Sequence, residues 1–260
     1  MGDRGRQSAR SVTFAPVWPE GHAFRHFDEI DSTNEEAKRL ASKGVQGPLW
    51  IMADRQTKGR GRRGREWYSM TGNLAATLLL KPASGIAQCA QLSFVAALAA
   101  GDLVAQCAPL AHATLKWPND VLLDGRKVAG ILLEASGRDA GAPDWLTIGF
   151  GVNLVCYPGD AEFPATSLRT VNVAPPAPKG ALTRLAASWS EWYRVWETTG
   201  FAPIRDAWLA RAAGLGTRIR ARLPDEEAAG VFEGIDESGA LILREQSGRV
   251  RTIAAADVFF

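Results

Sequence analysis

The order of apolar and polar residues divides the chain into two unlike parts. Up to about residue 213, short apolar runs alternate with segments of helical period; from Gly214 onward only short strand-like runs and glycine turns remain. "FRHFDEI" predicts a short strand. "DSTNEEAKRLASKG" predicts a helix, with Ser32 three residues before Glu35 as a capping box and Gly44 as the stop. "LWIMA" has the continuous apolarity of a buried strand, and "NLAATLLLKP" resumes strand character after a basic interruption. "GIAQCAQLSFVAALAAGDLVAQC" carries the longest helical pattern, placing Leu92, Val95, Ala96 and Ala99 on one face. In "ATLKWPNDVLLDGRKVAGILLEAS", Asp124-Gly125 is a two-residue hairpin signal between strands, and "WLTIGFGVNL" is a further strand. A Trp-rich helix from Leu182 to about Glu197 and a second helix over about Pro203 to Ala213 close the first part.

These elements define an α+β chain. The expected divisions are a polar tail over 1–22, a mixed strand-and-helix domain over 23–213, and a small helix-free barrel over 214–260. No internal repeat is present.

Composition narrows the class without deciding it. At 260 residues, with 46% apolar and 22% charged residues, the chain can bury one large core and carry an appendage. The formal net charge is only +2, so bulk electrostatics do not make it a polyanion binder. Cys89, Cys107 and Cys156 form no CxxC pair and no metal-like spacing with histidine, which predicts free thiols in a reducing cytosol and no metal held by protein ligands. The N-terminus has no apolar signal region. The apolar run after Gln91 is interrupted by Asp102 and is expected to be too short to span a bilayer. A cytoplasmic protein without a membrane segment is the expectation.

Against near-neutral bulk charge, "KGRGRRGREW" stands out: Lys58 to Arg65 are five cations and three glycines. Gly59, Gly61 and Gly64 spell G-x-G-x-x-G, but a dinucleotide loop opens a helix, and here arginines fill the gaps and a strand follows. A nucleic-acid patch would use the arginines on phosphates and Trp67 and Tyr68 on bases, yet such surfaces extend further along the chain. A loop closing on a small polyanion fits best. Glycines let backbone amides turn inward and arginines supply paired hydrogen bonds, while self-repulsion predicts disorder when no anion is bound. A second cationic cluster, Lys116 and Lys127, lies across the predicted hairpin, with Gly130 inside a strand where a ligand can approach closely.

Taken together, the segments resemble the biotin protein ligases. The matching stretches are "DSTN" (Asp31–Asn34), Gln56–Trp67 with "GRGRRGR", "GNL", "KWPND", "GRKVAGIL-E" (Gly125–Glu134) and "IGFGVNL", in the family's order. The C-terminal strands look like that family's SH3-like domain, with "GIDESGALIL" the closest stretch. The resemblance implies a mixed β-sheet catalytic domain of the biotin/lipoate ligase type followed by an SH3-like β-barrel. "SMTGN" departs from the family's usual loop exit. No DNA-binding winged helix precedes the catalytic segment, so the monofunctional class without operator binding is expected. A lipoate ligase or octanoyltransferase of the same fold is the alternative.

The implied chemistry is formation of biotinyl-5'-AMP from biotin and ATP with Mg²⁺, then transfer of biotin to a lysine of a biotin carboxyl carrier protein domain. By the family pattern, Ser32, Thr33, Asn34 and Gln56 line the ureido pocket, and Gly59, Arg60, Gly61, Arg62, Lys116 and Gly130 also contact biotin. Arg60, Arg62, Arg65, Trp67, Asn119 and Lys127 serve ATP or the adenylate. Arg62, Lys116, Lys127 and Asp120 are the catalytic candidates, Asp120 through Mg²⁺ placement, amine orientation or a turn cap. Gly130 and Gly151 are expected to let the ligand pass close to the sheet. Sequence leaves a homodimer open.

Overall fold

Leu49 to Ala53 of β2 (Leu49–Gln56) are apolar on both faces because both faces are covered. In the computed structural model, Leu49 and Ile51 pack on Ala37 and Leu40 of α1 (Thr33–Ser42), while Trp50 and Met52 join the larger core on the other side. The structure describes residues 16–137, 141–171 and 174–260; residues 1–15 of the expected tail lie outside them. β2 pairs in parallel with β1 (Ala23–Ile30) and antiparallel with β3 (Leu74–Leu80). β4 (Ala113–Lys116), β5 (Asp120–Leu123), β6 (Arg126–Ala135) and β7 (Leu146–Val152) complete a seven-stranded mixed sheet in the order β1-β2-β3-β7-β6-β5-β4. Asp124 and Gly125 both have positive φ (49° and 76°), as the two-residue hairpin turn between β5 and β6 requires.

The register across this sheet creates the floor of a site. Ala53, Ala75, Gly151, Gly130, Asp120 and Lys116 are successive cross-strand partners, from β2 to β4. Alternation puts them on one face. Small residues in the middle of the row leave a trough that ends in an acid and a cation.

The helices depart from the predicted pattern in places. The predicted longest helix is two, α2 (Ile86–Cys89) and α3 (Leu92–Cys107). By length and composition alone residues 86–107 could cross a membrane, contrary to the expectation of a run too short to do so. α3 is instead buried almost all round, and its Asp102 accepts hydrogen bonds from Trp192 and Arg211. The longest helix is α4 (Pro178–Thr199), which begins before the expected Leu182 with proline in its first turn. α5 (Phe201–Leu209) stops short of Ala213, because Arg211 O and Ala213 N pair with the backbone of Leu115 in β4.

β8 (Arg218–Arg222), β9 (Glu227–Ile235), β10 (Leu241–Glu245), β11 (Val250–Ile253) and β12 (Asp257–Phe259) form an antiparallel SH3-like sheet in the order β11-β10-β9-β8-β12. β9 alternates exposed and buried positions, as a strand with one wet face must. Trp117 Nε1 donates to Gly239 O, joining this sheet to the first. β12 brings Asp257 to the edge of the trough.

Candidate active site

A cleft of about 310 Å³ opens over the row of small residues. Its wall brings together Ser32, Thr33, Asn34, Gln56, Arg60, Gly61, Arg62, Arg65, Trp67, Lys116, Asn119, Asp120, Lys127 and Gly130. Gly59 is not in the wall. It sits behind it, where a Cβ would lie 2.4 Å from Trp67 O, so glycine is needed for the basic loop to close on itself.

One end of the cleft is polar and neutral. Ser32 caps α1 by accepting from Glu35 N at 3.5 Å, but the reciprocal half of the capping box is missing: Ser32 N donates to Asp31. Glu35 turns outward to Lys38 and Arg60. Gln56 Oε1 accepts from Thr33 N (2.8 Å) and Thr33 Oγ1 (3.0 Å), which turns the Gln56 amide nitrogen away from that contact. Asn34 and Thr77 complete a buried set beside Gly149, where a Cβ would lie 2.4 Å from Asn34 Oδ1.

The other end is cationic. Lys116 is 7% exposed, and its Nζ lies 3.8 Å from the centre of the Phe163 ring. Burial pushes its pKa below the usual lysine range. Lys127 would point to the opposite face of β6, but a bulge opposite Val121 and Leu122 turns it to the cleft face. Its Nζ lies 2.7 Å from Asp120 Oδ1 as an ion pair, off the direction of a hydrogen bond, so that buried oxygen keeps its accepting capacity. Asn119 is clamped by Ile131 through two hydrogen bonds and accepts from Arg62 Nη1 at 3.2 Å. Burial also lowers the Arg62 pKa.

The basic loop is a small hairpin: Arg60 bridges Glu66, Trp67 N donates to Gly59 O, and Arg63 and Gly64 take positive φ at its tip. The self-repulsion expected of it is answered by carboxylates from elsewhere. Asp257 accepts from Arg63, Arg65 and Arg222, Glu162 pairs with Arg65 and Arg222, and Glu35 pairs with Arg60. Burial raises the Asp257 pKa, but Arg65, Arg63 and Arg222 outweigh it and hold the carboxyl below its ordinary value. These carboxylates offset the self-repulsion of the loop, a source of charge balance that the local sequence does not show. A correction concerns Gly130 and Gly151. The clearance they provide is filled by Trp67, whose ring would lie 2.2 Å from a Cβ at residue 151.

Comparison with known proteins identifies the family of the two domains. Residues 26–153 match the biotin/lipoate A/B protein ligase family and residues 214–260 the biotin protein ligase C-terminal domain. The chain is 51% identical over 236 residues to the biotin–[acetyl-CoA-carboxylase] ligase of Paracoccus denitrificans, covering 88% of this chain and 97% of that protein. The chain belongs to the biotin protein ligase family. It is also 33% identical to the bifunctional ligase/repressor BirA of Bacillus subtilis, over 92% of this chain and 74% of that protein. A biotin protein ligase from Aquifex aeolicus, solved with biotin and ATP, superposes with a TM-score of 0.79 at 27% identity, covering 91% and 98% of the two chains.

Within this ligase fold, sequence reading missed Thr77, Glu134, Glu162, Phe163 and Asp257. Phe163 and Glu162 sit in "CYPGDAEFPATS", whose lack of period hides their direction. Phe163 stacks on Phe259 with ring centres 5.0 Å apart. Asp257 is 192 residues from Arg65, beyond any local signal.

Proposed function

We propose that this chain condenses biotin with ATP to biotinyl-5'-AMP and then transfers the biotinyl group to one lysine of a biotin carboxyl carrier domain of acetyl-CoA or a related carboxylase. The observation that carries the reading is the polarity of one cleft: uncharged hydroxyl and amide groups at one end, buried Lys116 with Arg62 and Lys127 at the other. That is the charge pattern of a molecule with a polar uncharged ring and an acid being joined to a phosphate. Among the described residues the cleft wall holds no histidine or cysteine, and the reaction needs no protein nucleophile.

In the first half-reaction a biotin carboxylate oxygen attacks the α-phosphorus and pyrophosphate leaves. Two anions must meet, so Lys116 and Arg62 supply the charge that lets them approach and stabilise the charge on the transferring phosphoryl oxygens. Lys127, turned inward by its bulge, serves the phosphates, and Arg60, Arg65 and Trp67 enclose the adenylate. In the second half-reaction the carrier amine attacks the acyl carbon and AMP departs; Asp120 and Asn119 orient that amine. Gly59 lets the basic loop close on itself, and Gly130 and Gly151 seat the Trp67 ring that encloses the adenylate. Mg²⁺ enters as the companion of ATP. Among the described residues the cleft gathers no trio of metal-ligating side chains, and the group that does converge, His26, Asp28 and Asp54, lies on β1 and β2 outside it. The catalytic work falls to residues 23–213, while 214–260 supplies Asp257 and Val258 to the cleft's rim.

Biotin-dependent exchange of labelled pyrophosphate into ATP tests the first step alone. Exchange that needs biotin and fails in Lys116→Met supports the assignment; exchange indifferent to biotin removes it.

A further inference from the structure

The ureido-binding role proposed above rests on hydroxyl and amide groups whose hydrogen-bond direction has to be set by something. Thr77 Oγ1 lies 2.8 Å from Thr33 Oγ1 and 2.5 Å from Asn34 Oδ1. A hydroxyl has one proton, so it can donate to only one of them. The choice is made by Asn34, and Asn34 is held from outside the cleft. Its Nδ2 donates to Glu134 Oε2 at 2.8 Å, and Glu134 Oε1 in turn takes Lys38 Nζ at 2.7 Å. An ionised carboxylate only accepts, so the amide must present nitrogen to Glu134 and oxygen to Thr77. The proton of Thr77 then goes to Asn34. Thr33 is left to donate inward, to Gln56 or Thr77, with its lone pairs open to the cleft.

We infer that Glu134 is a positioning residue for biotin recognition: acting through Asn34 and Thr77, it keeps Thr33 Oγ1 an acceptor for a ligand N–H. With Asn34 reversed, Thr77 would donate to Thr33 and occupy that acceptor. Glu134 itself does not line the cleft, and it stands at the end of the "GRKVAGIL-E" segment with no part in the mechanism described above. Gly149 serves the same device, since a side chain there would occupy the place of the Asn34 amide. Buried network members of this kind act as a unit, so their removal is non-additive.

The test is calorimetric titration of the full-length chain with biotin, for the native protein, Glu134→Gln, Thr33→Ala and the double variant. Glutamine can donate as well as accept, which frees Asn34 to reverse. Loss of one ligand hydrogen bond predicts a rise in Kd of about tenfold in Glu134→Gln. In the Thr33→Ala background, the same change should add less than about twofold. ATP affinity should stay as in the native protein. A full tenfold loss persisting without the Thr33 hydroxyl, or no loss in Glu134→Gln, would overturn the inference. Thr77→Val removes the hydroxyl that would donate to Thr33, so near-native biotin Kd is expected in Thr77→Val alone and combined with Glu134→Gln; a tenfold loss in either would also overturn the inference. Failure of the native protein to bind biotin would instead strike the functional reading on which this one rests.

Discussion

Replacing Asp257 with alanine removes the carboxylate shared by Arg63 and Arg65 of the basic loop and Arg222 of β8. Asp257 is itself 9% exposed at the side chain, but its partners are 31%, 42% and 37% exposed. Breaking a fully buried pair costs about 3–5 kcal/mol, and exposed pairs contribute less than about 1 kcal/mol. With the acid buried and the bases half in water, the expected cost is about 1–2 kcal/mol, borne mainly by the loop. A shift of that size raises the open fraction of the loop roughly 5–30-fold. Limited trypsin digestion with mass-spectrometric mapping reads this directly, because cleavage after Arg63 or Arg65 tracks the open population when reclosing is fast. Biotin with ATP should restore protection in both proteins. Because the folded carboxyl pKa is depressed, the latch is fully present above the ordinary aspartate value of about 3.9 and is lost as pH falls through the folded value. Unchanged cleavage of the alanine variant, or cleavage spread evenly over the whole chain, would refute the claim that Asp257 orders this loop.

Three further outcomes follow from the same geometry. Lys116→Met should abolish pyrophosphate exchange while stabilising the fold by about 1 kcal/mol in thermal unfolding, since it removes a desolvated charge. The lowered pKa of Lys116 also means that the native protein gains stability on this variant as pH rises from the folded value toward the ordinary lysine value of about 10.4. Gly151→Ala should expel Trp67 at an overpacking cost of about 1–3 kcal/mol and lower exchange, and Trp67→Ala should relieve the stability part of that cost in the double variant. Arg62→Gly, by removing the bond to Asn119 that ties loop to sheet, should release the adenylate and label bystander lysines on added albumin; labelling confined to the carrier would contradict the retention role of Arg62.

The strands were legible because their patterns are local: "LWIMA" and "NLAATLLLKP" carry their burial in their composition, and Asp124-Gly125 carries its turn in its backbone freedom. The wall residues from Ser32 to Gly130 were legible because each lies in a short stretch of unusual chemistry; Glu162, Phe163 and Asp257, which also line the cleft, were not. The connections between them were not. Whether Lys127 faces the cleft depends on one bulge, which no period-two reading anticipates. The charge balance of the arginine loop depends on Asp257, contributed by the last strand of the chain. The clearance above Gly151 was legible, but its occupant, Trp67, was decided by loop closure through Gly59. The early stop of α5 likewise came from pairing with β4, a tertiary contact overriding helical period.

Incubating the native protein with ATP, Mg²⁺, labelled biotin and an apo carrier domain tests the account most directly. It predicts label on one lysine of the carrier, dependent on ATP and absent in Lys116→Met. Label from lipoate but not from biotin, or transfer without ATP, would contradict it.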